Sequence, residues 1–157
     1  MQGETTARMR PGWAYVLLRG PGDLASAGAR VAVTVVIAAG AACMAWSGVI
    51  HLYLWGKQYG YRAIPTIGPL FLIQGIATLL VALLVIVSRR VALLLVGAAM
   101  LAGSVGALLL SIYVGLFGFK DTWSAPYAWT SLFEEAAGAV LLLAAACVLV
   151  RPGTRPE

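Results

Sequence analysis

Residues 68–100 read GPLFLIQGIATLLVALLVIVSRRVALLLVGAAM. Residues 68–88 carry no charged side chain, Arg89 and Arg90 interrupt the run, and apolar sequence resumes at Val91. A helix rises about 1.5 Å per residue, so roughly 20 apolar residues cross a hydrocarbon core about 30 Å thick. The runs lack the strict alternation of a barrel strand, and helix is the remaining structure that satisfies its own backbone in lipid. A two-residue break between two such runs predicts an antiparallel helical hairpin.

Working outward, a further apolar run covers Val31 to Trp55 and another Tyr127 to Val150. The run that starts at Val91 continues to Phe119. The fold expected is an all-α integral membrane four-helix bundle of up-down-up-down order. Its spans are about 31–55, 68–88, 91–119 and 127–150, within a domain of residues 29–150. Residues 1–28 and 151–157 form the flanking tails. The first run is too long, and followed by too many others, for a cleavable signal peptide.

Composition agrees. Of 157 residues, 61% are hydrophobic and 11% charged, against about 25% charged in an ordinary soluble domain. One small core could not hide that much apolar surface.

Charge gives direction. Arg8, Arg10, Arg19, Arg30, Arg89, Arg90, Arg151 and Arg155 flank one side of the spans; Lys57, Arg62 and Lys120 flank the other. The positive-inside rule places the arginine-rich side, and with it both termini, in the cytoplasm of a cell's inner (plasma) membrane. The net charge of +5 therefore reflects topology. No basic, aromatic-interleaved patch points to nucleic acid. The apolar patch Trp13 to Leu18, between Arg10 and Arg19, either rests on the inner leaflet or belongs to a loose tail.

The third span carries Ala99, Gly103, Ala107, Ser111 and Gly115 at i, i+4 spacing. Helices in lipid associate through close backbone approach, so this stripe is the expected central packing contact. Aligned with it are Glu134, Gly138, Leu142 and Ala146 on the fourth span and Ala39, Cys43, Ser47 and His51 on the first. Trp55, Tyr59, Tyr61, Trp123, Tyr127 and Trp129 gather at the outer boundary, as in an interfacial belt.

Polar residues within the spans crowd the same outer end. Ser47, His51, Gln74, Ser111, Tyr113, Glu134 and Glu135 all fall within roughly 15 Å of that boundary, and all four helices contribute. Carboxylates in hydrocarbon normally face a bundle interior or water. These residues are the candidates for a polar cavity open to the extracytoplasmic side. Neighbouring glutamates point about 100° apart on a helix. Glu134 shares the small face of Gly138, so it is expected to point inward. Glu135 is left for the interface, or for pairing with Lys120 or Arg62. The cluster either fixes the register of the bundle or forms a ligand, proton or quinone site. Pro65 and Pro69 restrict the chain before the second span. They would hold Tyr61 and Arg62 at the cavity mouth, as a lip for an anion or headgroup or as a helix start with a snorkelling arginine.

Cofactor chemistry finds little to work with. One histidine cannot build a bis-histidine haem or a multi-histidine metal site, so no metal and no cofactor are expected. Cys43 and Cys147 are not paired in sequence and read as small packing residues. No Ser-His-Asp set, phosphate loop or dinucleotide fingerprint is present, and no residue is assigned a catalytic role.

The segments HLYLW (51–55), GYRAIPTIGPLF (60–71) and APYAW (125–129), with Glu134 and Glu135, resemble uncharacterised small four-span membrane proteins of actinobacteria. The resemblance covers roughly residues 30 to 150, and the layout is loosely similar to the DoxX-like group. It implies the four-span fold and carries no activity. Small multidrug exporters place a carboxylate in the first span, where this chain has none, and membrane thiol oxidoreductases need cysteine pairs. Three roles are compatible with the sequence. One is a non-enzymatic accessory or small-ligand-binding protein, in a larger membrane complex or a homo-oligomer. Another is a proton-coupled transporter using Glu134. The third is a quinone-linked component using His51, Tyr113 and Glu134.

Overall fold

A computed structural model of the chain describes residues 12–57 and 60–151. Arg8, Arg10, Tyr59 and Arg155 lie outside those residues, with the rest of 1–11 and 152–157. The described chain is helical, and four of its helices are long and apolar enough to cross a membrane. A short helix α1 (Trp13–Leu17) precedes α2 (Ala27–Gly56), α3 (Ile67–Ser88), α4 (Val91–Tyr113) and α5 (Ala128–Val150).

Each long helix starts and stops for a local reason. Ser26 caps α2, its Oγ accepting the Ala29 amide at 3.0 Å. Between α3 and α4, Arg89 takes a left-handed conformation (φ 51°), and the chain reverses in two residues. Helix α4 ends at Tyr113, short of the Phe119 expected from its apolar run. Gly115 (φ 100°) leaves the helix, and the Val114 and Gly115 amides both close on the Leu110 carbonyl. Leu116 and Phe119 then exchange backbone hydrogen bonds across Phe117 and Gly118, both at positive φ. That tight turn folds the chain back over the end of the bundle.

Contacts show the helix directions. On α2 and α5, Gly40 meets Leu142, Cys43 meets Gly138, and Ser47 meets Glu135. As one number rises the other falls, so the two helices are antiparallel. The same holds for α4 and α5, where Leu101 meets Gly138 and Ser104 meets Glu135. Met44 on α2 packs against Gly97 on α4, and Ser104 lies one further step along, so α2 and α4 run parallel across the bundle.

The packing glycines are not the expected ones. Ala99, Gly103 and Ala107 are exposed, and a Cβ on Gly103 would meet nothing within 4 Å. Gly115 lies beyond the end of α4. An i, i+4 line advances 400° per step, so it drifts 40° round the helix each time. Its first three members therefore lie off the buried face of Leu94, Gly97, Ala98 and Leu101, and the drift brings it inward only at Ser111, which is buried. The close approaches lie elsewhere. A Cβ on Gly138 would sit 2.6 Å from Leu101, and one on Gly75 would sit 3.1 Å from the Gly48 carbonyl.

The arginine-rich half of the bundle is a solid apolar core of Ile37, Met44, Val85, Leu94, Leu101, Leu142 and Leu149. Its end is laced by arginines. The Arg19 guanidinium donates to the Val150 and Arg151 carbonyls at 3.3 and 3.1 Å, at the C-terminus of α5. The Arg19 carbonyl accepts the Val91 amide, and Arg90 donates to the Leu18 carbonyl. Residues 13–24 are thus tied to the bundle, with Trp13 and Tyr15 turned outward.

Candidate functional site

The opposite half holds a cavity of about 90 Å³, enough for about three water-sized groups. It lies where α2 and α4 end and α3 and α5 begin, beneath the folded-back turn.

Its floor is Glu135, which is 1% exposed. Ser47 on α2 donates to Oε1 at 2.6 Å, and Ser104 on α4 donates to the same oxygen at 2.8 Å. The carboxyl group on α5 therefore ties three helices together. Its second oxygen, Oε2, is buried and has no hydrogen-bond partner. A buried polar atom normally finds one, and this one belongs to a residue that lines the cavity.

His51 stands one helical turn from Ser47. Its Nδ1 lies 2.9 Å from the Ser47 carbonyl. A carbonyl only accepts, so the proton of a neutral ring sits on Nδ1 and Nε2 is left as an acceptor.

The walls are aromatic. Tyr61 stacks on Phe71 with ring centroids 4.8 Å apart, Phe119 meets Tyr61 edge-on at 5.9 Å, and His51 lies 5.0 Å from Phe71. Tyr61 is positioned by a short 3-10 turn after Gly60, whose φ is 77°. Its hydroxyl donates to Oδ2 of Asp121 at 3.2 Å. Burial, and then the Asp121 carboxylate, push the Tyr61 phenol above the usual range for a phenol. Asp121 is fixed in turn: its amide donates to the Ser111 carbonyl at 3.1 Å, and Oδ1 accepts the Thr122 amide at 2.9 Å.

The structure brings together Ser47, His51, Ser111, Glu135 and Tyr61 from the residues expected at the cavity or its mouth. Four others are elsewhere. Glu135, not Glu134, is the carboxylate held inside by hydrogen bonds. Glu134 is half-buried outside the cavity lining, and neither of its carboxyl oxygens has a hydrogen-bond partner among the described residues. Tyr113 is 66% exposed, with its ring against Trp123. Gln74 is half-buried and does not line the cavity. Arg62 is exposed and sits 5.5 Å over the Trp55 ring, which holds its charge away from the pocket.

Sequence reading missed Ser104, Asp121, Phe71 and Phe119. Ser104 lies seven residues before Ser111, on the same helical face, and that spacing was visible. Asp121 and Phe119 reach the site only because the chain doubles back after α4, which an apolar run does not announce.

Among the described residues, no group of three or more His, Cys, Asp and Glu side chains is arranged to hold a metal ion. Both cysteines are free; Cys43 is half-buried in the α2–α5 contact, and Cys147 is exposed rather than packed. No protein-family model, no curated protein and no solved structure matches the chain.

Proposed function

We propose that this chain is a non-enzymatic multi-pass protein of the plasma membrane that binds a small ligand in the pocket floored by Glu135. The orientation rests on arginine placement: Arg19, Arg30, Arg89, Arg90 and Arg151 share the end of the bundle away from the pocket. By the positive-inside rule that end is cytoplasmic, and the pocket then opens extracytoplasmically. The outward faces of the four helices carry Val31, Leu83, Val87, Val96, Phe133 and Val140, which suits contact with acyl chains.

One observation carries the reading. Glu135 is buried and firmly held by one oxygen, while the other is unmatched beside an aromatic-walled space. A carboxyl group that served only to set helix register would be expected to use both oxygens. The filled core beyond Glu135 favours binding over passage, because a transported molecule would have to part Met44, Leu101 and Leu142.

The test is native mass spectrometry of protein released from a mild, non-ionic detergent. The expected result is a small bound species that is absent from Ser104→Leu, whose longer side chain fills the cavity. A folded wild-type protein with no bound species, and no thermal stabilisation by any member of a small-metabolite panel, would remove the proposal.

A further inference from the structure

Resting on that reading, we infer that the pocket takes the head of a small organic cation, an ammonium group bearing hydrogens or methyl groups. The acidic groups of its lining face no lysine or arginine. Glu135 Oε2 and His51 Nε2 present lone pairs, and Asp121 adds a second carboxylate at the rim. The Ser47 and Ser104 hydroxyl protons, which could have served a ligand acceptor, are already spent on Glu135 Oε1. The Tyr61 proton is spent on Asp121. Of the two such residues adjacent in sequence to the cavity wall, Arg62 is engaged with Trp55 and Lys120 is exposed.

An anion would meet the Glu135 carboxyl group, the Asp121 carboxylate and no lysine or arginine. A neutral acceptor would find the Ser47, Ser104, Ser111 and Tyr61 hydroxyls engaged, and only the Ser131 and Tyr127 hydroxyls left to it among the described residues. A cation finds acceptors for any N–H it carries, and ring faces for its methyl groups. Tyr61, Phe71 and Phe119 supply those faces, and ring faces attract cations most strongly where water is excluded. Glu135 at 1% exposure lies in such a place. A volume of about 90 Å³ admits the head group, and the rest of the molecule would extend past Tyr61. The ammonium could arrive free or as part of a lipid headgroup, since the pocket sits at the end of the spans.

Titration calorimetry in dodecyl maltoside distinguishes the possibilities. The probes are choline, ethylammonium, the neutral choline isostere 3,3-dimethylbutanol, acetate, and a short-chain phosphatidylethanolamine. Choline or ethylammonium is expected to bind at least tenfold more tightly than the neutral isostere, and acetate not at all. Binding by the short-chain lipid alone would still support the ammonium assignment and would identify a headgroup as its source. Glu135→Gln keeps an oxygen for both serines and is expected to weaken cation binding at least tenfold, with an unchanged elution profile. Should that variant not fold, Asp121→Asn at the rim is expected to show a smaller loss of the same kind. If the neutral isostere or acetate binds as tightly as choline, the cation assignment falls and the ligand pocket stands. If a folded wild-type protein binds none of the probes while retaining a different species by mass spectrometry, the same conclusion holds. If it binds nothing at all, both fall.

Discussion

The Ser47 hydroxyl donates to Oε1 of Glu135 across 2.6 Å, joining α2 to α5 in the interior of the bundle. Hydrogen bonds in so dry a place are strong when made and costly when broken. Ser47→Ala removes one of two donors from a buried carboxyl group. The expected cost is about 1–3 kcal/mol, read as a lower midpoint of thermal unfolding in detergent. Ser104→Ala should cost less, because its hydrogen bond is longer and only partly buried. Equal midpoints for Ser47→Ala and wild type would show that the contact carries no weight.

Two glycines should respond oppositely to the same change. Gly138 has Leu101 and Cys43 within 2.7 Å of where a Cβ would stand. Gly138→Leu therefore forces α4 and α2 away from α5, and overpacking of this kind costs about 1–3 kcal/mol or more. Gly103 faces open space, and Gly103→Leu should leave the midpoint of the isolated chain within about 0.5 kcal/mol of wild type. Size-exclusion profiles and unfolding midpoints report both. Loss of the folded chain in Gly103→Leu alone would contradict the observed face of α4.

Alkaline pH should loosen the pocket end through Tyr61. Its folded-state proton is held more tightly than in the unfolded chain, by burial first and Asp121 second. The stabilisation is complete below the ordinary phenol value of about 10. It is lost as pH rises above that value toward the higher folded one. Tyr61→Phe, which cannot ionise, should show a shallower fall in stability between about pH 9.5 and 11. Parallel curves for the two proteins would rule out this contribution.

Orientation can be read with thiols. In a background carrying Cys43→Ala and Cys147→Ala, Ser124→Cys lies exposed in the loop before α5, and Gly22→Cys lies exposed at the arginine-rich end. A membrane-impermeant maleimide applied to intact cells should label the first and spare the second. The reverse pattern would invert the proposed topology.

The helical spans were legible because span length and apolarity are properties of the chain itself, and the boundaries of α3 agree with its run to within one residue. The end of α4 was hidden because Val114 to Phe119 reads as continuous apolar sequence, whereas Gly115 and Gly118 turn it by adopting positive φ. The choice between the two glutamates failed for a geometric reason. Gly138 lies between their directions on the helix, so it could not decide. A seven-residue line does decide: Ala128, Glu135, Leu142 and Leu149 are all buried, and seven residues come within about 20° of two full turns. The same spacing relates Ser104 to Ser111. Periodicity over seven residues marks the interior of this bundle, whereas the four-residue stripe on α4 is exposed at Ala99, Gly103 and Ala107 and buried only at Ser111.

The seating of Met44 against Gly97 and of Leu142 against Gly40 makes the space above Glu135 a cul-de-sac. On the proposed binding role, a ligand would enter and leave that space from the same side of the bundle. Occupancy would then follow concentration in a single compartment, and no gradient would be discharged by filling it.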